Sequence, residues 1–418
     1  MTKNSTIYDV AVIGGGPAGM IAAGRAAEQG AQVVLIEKNK TLGKKLLITG
    51  GGRCNLTNNE TNLRIFLAKF NNKQKFLFSP FSQFGVKETL DWFHHHGLAT
   101  KLEAEGRVFP ASNKAQSVLE TLINYLHKNK VKILTDVTAD GFISDDKKIT
   151  GLKIKNSKDL IKAKSYILAT GGKSRPDTGS TGEGFLWLKN LGYKINESNA
   201  ALTPIKTEEI WVKNLAGISL SDVKLKIFQN HKKQAEGLGK ILFTHFGLSG
   251  PLVLNLSQKI GALLKYGSVE INLDLKPGLD EMTIDKDLQK LLSTRLNKKL
   301  NSSLSGLVPS ALSPVLISLA KIDPNKAVNS LTRGERLKLI SLIKKLPLKA
   351  AGLMGLDKAI ITSGGVDLKE IDFKTMCSRR HTNLFLIGDV LDIDRPSGGY
   401  SLQLCWTTGY VAGTVSKK

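Results

Sequence analysis

The chain has 418 residues, 41% of them hydrophobic, with only three cysteines, enough for two or three domains with a sizeable core but not for a disulfide framework. The net charge of +24 admits a polyanionic partner, although lysine spread evenly over a solvated face gives the same number. Cys54, Cys377 and Cys405 are too scattered for a CxxC metal site, and no apolar run reaches the ~18 residues of a membrane helix, so a cytoplasmic setting is expected.

Asp9 to Ile13 is a short apolar run stopping at glycine, as a buried strand does. Gly14-Gly15-Gly16-Pro17-Ala18-Gly19 follows and fits G-x-G-x-x-G, with Gly14, Gly16 and Gly19 in the three glycine positions. An alanine-rich helix is predicted from Pro17 to Gln29, with Gly30 as its stop. Val33 to Ile36 reads as a second buried strand, and Glu37 ends it about twenty residues after the glycines. Gly14 permits the tight turn, Gly16 lets a pyrophosphate approach the backbone, and Gly19 lets helix and strand pack closely. The helix N-terminus offers N–H groups and partial positive charge to phosphates. Glu37 can accept hydrogen bonds from an adenosine ribose and disfavours a 2′-phosphate, so the ligand is NAD or FAD rather than NADP.

Lys38 to Lys45 leads into Leu46-Leu47-Ile48-Thr49-Gly50-Gly51-Gly52-Arg53-Cys54-Asn55. Three consecutive glycines suit a loop passing close to a ligand. Leu63 to Lys101 reads as mostly helical. His94-His95-His96 is a polar helix end before Gly97, because adjacent helical residues point in different directions. Ala115 to Lys128 is predicted helical, and Val131 to Thr138 and Ile149 to Lys155 are predicted strands. Another buried strand runs into Ala169-Thr170-Gly171-Gly172, followed by a Gly/Ser/Thr loop to Gly184 that could hold an anion or wrap the same ligand. Its glycines fall at the wrong spacing for a second fingerprint.

From Asn199 the texture changes. Thr203-Pro204, Val223 to Phe228 and Leu238 to Phe243 read as short antiparallel strands, a helix starts near Pro251, and Val269 to Leu275 is a strand. Leu279 to Leu346 is nearly all helical pattern. Ala359 to Val366 begins the return. Leu384 to Asp389 is a strand ending in Gly388-Asp389, and a C-terminal helix runs from about Ser401 to Thr414. A late Asp of this kind accepts from the ribityl chain in two-dinucleotide flavoproteins, and the next helix points its N-terminus at the flavin.

The stretches GGGPAG, LGKKLLITGGGRCNLTN, ATGGKSRPDTGSTGEG, FTHFGLSGP, ITSGGV and GDVLDIDRPSGGYSLQ together resemble the bacterial flavoproteins of the BaiN/RdsA type, in order along nearly the whole chain. The resemblance implies an α/β protein with a discontinuous Rossmann-like FAD-binding domain (1–198 and 352–418). It also implies an inserted β-barrel domain (199–276 and 338–351) and a small helical domain (277–337). By the same resemblance Gly14, Gly16, Pro17, Ala18 and Gly19 hold the pyrophosphate and Glu37 the ribose. Lys38, Lys45, Gly51, Gly52, Arg53, Cys54 and Val137 line the cleft with Ala169, Thr170 and Gly171. Gly388 and Asp389 meet the ribityl chain, and Gly398, Gly399 and Tyr400 lie near the isoalloxazine. The family carries Glu where this chain has Asp389, which keeps the carboxylate.

Family members have been linked to reducing a uracil base in large-subunit ribosomal RNA, and others to reducing a double bond in a steroid. Both use FAD, with NADH or NADPH as reductant. The basic charge favours ribosomal RNA as partner, its base turned out of the stack. A small enone is the alternative substrate, and a non-enzymatic flavin sensor a third reading. Cys54 is the first candidate proton donor, with a pKa lowered by Arg53 if the two are close, and His245 is the second. A small packing residue is the competing reading of Cys54.

Overall fold

In the computed structural model, which describes residues 6–295 and 298–417, the first apolar run forms strand β1 (Ile7–Ile13). Pro17 takes the first position of helix α1 (Pro17–Glu28), where its missing N–H costs nothing. Strand β2 (Val33–Ile36) is wholly buried and pairs in parallel with β1. Helices Leu63–Ala68, Gln74–Gln83 and Val86–His95 follow. Helix α2 (Ala115–Lys128) buries Val118, Leu119, Leu122 and Leu126 on one face. Strands β3 (Lys132–Leu134), β4 (Ala139–Asp145), β5 (Lys148–Ile154) and β6 (Leu160–Leu168) come next, and then helix α3 (Glu183–Asn190).

Two expectations are corrected here. Helix stops at His95, because the chain turns at Gly97 (φ +83°) and Thr100–Leu102 pairs with Arg107–Pro110. The strand expected to run to Thr138 ends at Leu134. Asp136 takes φ +58°, and the Val137 amide donates to the Glu37 carbonyl (3.1 Å) instead.

Residues 201–358 form a second compact unit. It contains β7 (Ile205–Thr207), β8 (Ser219–Gln229), β9 (Lys232–Thr244), β10 (Gly247–Ser249), α4 (Pro251–Leu264) and β11 (Val269–Asp274). Helices α5 (Glu281–Ser293), α6 (Leu312–Leu319) and α7 (Arg333–Lys344) and strand β12 (Leu346–Leu353) complete it. Six strands close a barrel in the order β7-β10-β9-β8-β11-β12. Alternate residues of β8, namely Val223, Leu225 and Ile227, point into its core. The first of these strands starts at Ile205 and not at Thr203-Pro204, since proline has no N–H for a ladder. Among the described residues, only three α-helices occupy the stretch expected to be nearly all helical. Turns near Gly306 (φ +113°), Pro309 and Lys321 (φ +58°) separate them, and residues 296–297 lie outside the described residues. Barrel residues Leu225 and Ile271 share one core with Leu288, Leu316 and Ile340 of the helices.

The first unit resumes at Ala359. Strand β13 (Leu384–Leu386) pairs in parallel with β6, and the largely buried helix α8 (Tyr400–Val415) ends the fold. Its sheet has the order β3-β2-β1-β6-β5-β4, with β13 also on β6. Register decides where a ligand can go. Ile13 lies opposite both Ile36 and Leu168, and Leu168 opposite Leu386. Four parallel strands therefore end level. The residues after them, Gly14, Glu37, Ala169 and Ile387, share the carboxyl edge where open α/β sheets take ligands. Helix α8 crosses α1 at backbone distance. A Cβ on Gly409 would lie 2.5 Å from the Ala18 carbonyl oxygen, and one on Gly413 2.5 Å from that of Ala22. Among the described residues no helix is long and apolar enough to cross a membrane.

Candidate functional site

A cleft at that edge encloses about 1190 Å³ of empty space, part of it open to solvent, more than the ~300–1,000 Å³ usual for a small ligand. Gly14, Gly16, Pro17, Ala18, Glu37, Lys38, Lys45, Val137, Ala169, Thr170, Gly171, Gly388 and Asp389 line it. Gly14 turns the chain with φ +108°, and a Cβ there would sit 2.5 Å from the Ala169 carbonyl oxygen. Gly19 lies beneath the cleft, where a Cβ would come within 1.9 Å of the Gly14 oxygen. Gly16 differs, because a Cβ there meets no atom within 4 Å. The N-cap of α1 is Gly16, which has no side chain to cap the first turn, so the positive end of the helix faces the cleft, as an anion site requires. Glu37 is fixed in the wall. Its Oε2 accepts from the Gly15 amide (2.7 Å) and its Oε1 from the backbone (2.7 Å) and side chain (2.6 Å) of Asn39. Oε2 keeps acceptor capacity for a ribose hydroxyl.

The loop after Gly172 wraps the same cleft. Thr178 to Glu183 line it, Lys38 Nζ donates to Thr181 Oγ1 (2.7 Å) and Glu183 Oε2 (2.8 Å), and the Asn39 amide donates to the Thr178 carbonyl (3.1 Å). At the other end Asp389 is paired with Arg395 and with Lys45 (3.4 Å), whose Nζ also donates to Ser174 Oγ (2.7 Å). Burial pushes the Asp389 carboxyl up, but Arg395 and Lys45 outweigh burial and hold it below its ordinary value. Ser401, Leu402 and Cys405 of α8 complete this wall.

Gly51, Gly52, Arg53, Cys54, Gly398, Gly399 and Tyr400 do not line this cleft. The Arg53 guanidinium pairs with Glu103, donates to Asn113 Oδ1 (2.6 Å) and lies 4.1 Å over the Phe109 ring. Cys54 is wholly buried, and burial pushes its thiol up to about 12 against a smaller lowering by the Thr49 side chain. The lowering expected from Arg53 is thus corrected, and Cys54 packs the core. Tyr400 joins an aromatic cluster, its ring 4.9 Å from that of Phe66. His245 belongs to the second unit, exposed at the turn between β9 and β10. Cys54→Ala should therefore leave the single-turnover rate within about twofold and lower stability by about 1 kcal/mol. Rapid mixing of the reduced variant with substrate checks this, and a hundredfold slower rate would return Cys54 to the mechanism.

The family model described as "HI0933-like protein Rossmann domain" matches residues 8–415. The chain belongs to the HI0933-like family. This is the BaiN/RdsA-type flavoprotein family, and the chain is a flavin-dependent oxidoreductase. It is similar to the 3-dehydro-bile acid delta(4,6)-reductase of Clostridium scindens, with 33% identity over 97% of this chain and 98% of the relative. It is also similar to the ribosomal RNA dihydrouridine synthase of Escherichia coli, with 29% identity over 96% of each chain. A solved 3-ketosteroid-delta4-(5alpha)-dehydrogenase from Rhodococcus jostii RHA1 shares the fold at a TM-score of 0.56 and 14% identity, over 100% of this chain and 98% of that one.

The residues of this HI0933-like chain fit FAD. The space above Gly16 is what a pyrophosphate needs. Thr170 Oγ1 is buried in the cleft wall without a hydrogen-bond partner, and such a group calls for a ligand or water. Arg395, Asn39, Ser401 and Cys405 were not foreseen from the sequence. Arg395 and Ser401 had a local signal, their place in the GDVLDIDRPSGGYSLQ stretch.

Proposed function

We propose that this chain uses FAD to reduce an activated carbon–carbon double bond, that of a uracil base in large-subunit ribosomal RNA, with NADH or NADPH as electron source. The observation that carries the flavin part is the level row of strand ends, which sets Gly14, Glu37, Ala169 and Ile387 along one edge. Gly16 and the first turn of α1 would hold the pyrophosphate, Glu37 the adenosine ribose, and Asp389 a ribityl hydroxyl. Ser401 and Leu402 bring the first turn of α8 into the wall, where its partial positive charge favours electron-rich groups. When bound, FAD supplies the electrons that reduce the double bond. In this reading the first unit is the discontinuous FAD-binding domain, and the barrel with helices α4 to α7 is an insertion into it.

Two things support RNA as substrate. The relatives from E. coli and Haemophilus influenzae, 29% and 28% identical over 96% of this chain, are named ribosomal RNA dihydrouridine synthase. The chain also carries +24, the sign a phosphate backbone requires. The higher identity of the C. scindens reductase, 33%, favours a second reading, the same reaction on a small enone. Mass spectrometry of ribosomal RNA from a strain lacking the gene decides between them. One dihydrouridine should be lost and should return on complementation. Unchanged ribosomal RNA would contradict the RNA reading.

A further inference from the structure

Arg395 is an arginine whose side chain is 1% exposed. Its guanidinium is held at three points. Nη1 donates to the Ile393 carbonyl (2.8 Å), Nε to Ser401 Oγ (3.1 Å), and Nη2 to Asp389 Oδ1. Asp389 lines the cleft and Arg395 stands behind it. Lys45, on the short helix Lys44–Leu47, reaches Asp389 Oδ2 at 3.4 Å. The Cys405 thiol of α8 also faces this carboxylate, and burial pushes it up to about 12, so it is neutral at physiological pH. A carboxylate taken out of water stays ionised only when paired, and Arg395 supplies a fixed, permanently charged partner.

We propose that Arg395 is a positioning residue, which holds the Asp389 carboxylate ionised and turned to the cleft as the acceptor for a ribityl hydroxyl of FAD. This rests on the FAD reading above. Without Arg395, only Lys45 at 3.4 Å is left to oppose burial. The larger of the two charges is gone, and the balance moves toward the neutral acid, which offers a proton where a lone pair is needed. FAD affinity should then fall by up to about tenfold per pH unit below the raised pKa. With Arg395 present, stability of the bound state is indifferent to pH over that range.

The test is FAD release from the holoenzyme, followed by the rise in flavin fluorescence between about pH 5 and pH 8. Wild type should release FAD at a rate constant within about twofold across the range. Arg395→Gln should release it at least about tenfold faster at the acid end than at the alkaline end. Arg395→Lys keeps the charge but not the fork, so it should restore the flat profile. Asp389→Asn should release FAD quickly at every pH. If Arg395→Gln matches wild type at both ends, the proposal is wrong. Should Arg395→Gln fail to fold, the other three proteins decide. An Arg395→Lys profile that is no longer flat while wild type stays flat supports a role for the fork, whereas an Arg395→Lys protein that releases FAD quickly at every pH overturns the proposal. Release from wild type that speeds tenfold on acidification, or slow release from Asp389→Asn, overturns the proposal, and a flat wild type beside a fast Asp389→Asn supports it. A wild-type protein that binds no FAD overturns the flavin reading instead.

Discussion

Gly16→Val is expected to fold and to purify without FAD. The backbone at Gly16 is ordinary, with φ −79°, so valine can adopt it. A Cβ there meets no protein atom within 4 Å. The cost to the fold is a poorer helix start and a stiff side chain, about 1 kcal/mol. The cost to the ligand is far larger. Valine fills the space over the first turn of α1 and keeps phosphates from its N–H groups. A loss of about 1,000-fold in affinity corresponds to about 4 kcal/mol, well beyond the cost to folding. The ratio of flavin to protein after purification, with circular dichroism as the check on folding, measures both effects. A folded variant with normal flavin content would reject the pyrophosphate assignment.

The placing of the glycine motif and Glu37 along one cleft was legible because its signals are local. The glycine spacing, the Ala-rich helix and Glu37 fall within about one βαβ unit, and all three stand where expected, on α1 and at the end of β2. The Gly388-Asp389 strand end was legible for the same reason. What escaped notice depends on tertiary burial. Nothing around Arg395 in the sequence says that its side chain is buried or that it is clamped to Ile393, Ser401 and Asp389. The direction of the Cys54 shift was not legible for a related cause. Its neighbour Arg53 is adjacent in sequence but turned to Glu103 and Phe109, so burial sets the thiol. The stretch from Leu279 to Leu346 misled because apolar spacing alone does not distinguish α-helix from turns that bury leucines. Leu300, Leu304 and Leu307 are core residues outside any α-helix.

The surface charge makes the second large effect a matter of substrate choice. Of the +24, residues 201–358 carry +11, so neither unit holds the whole excess. If these residues grip RNA, log affinity should fall with log salt by about 0.7 to 0.9 per phosphate contact. Several contacts would cost about a thousandfold between low and physiological salt. An evenly basic surface would also bind RNA weakly, so binding alone does not decide. Turnover does. The enzyme should be reduced in the absence of oxygen and mixed with ribosomal RNA from the strain lacking the gene. RNA should reoxidise it and gain dihydrouridine at one position. Salt should weaken half-saturation while leaving the saturated rate nearly unchanged. If RNA never reoxidises the enzyme, while a small enone does so at a rate indifferent to salt, ribosomal RNA is not its substrate.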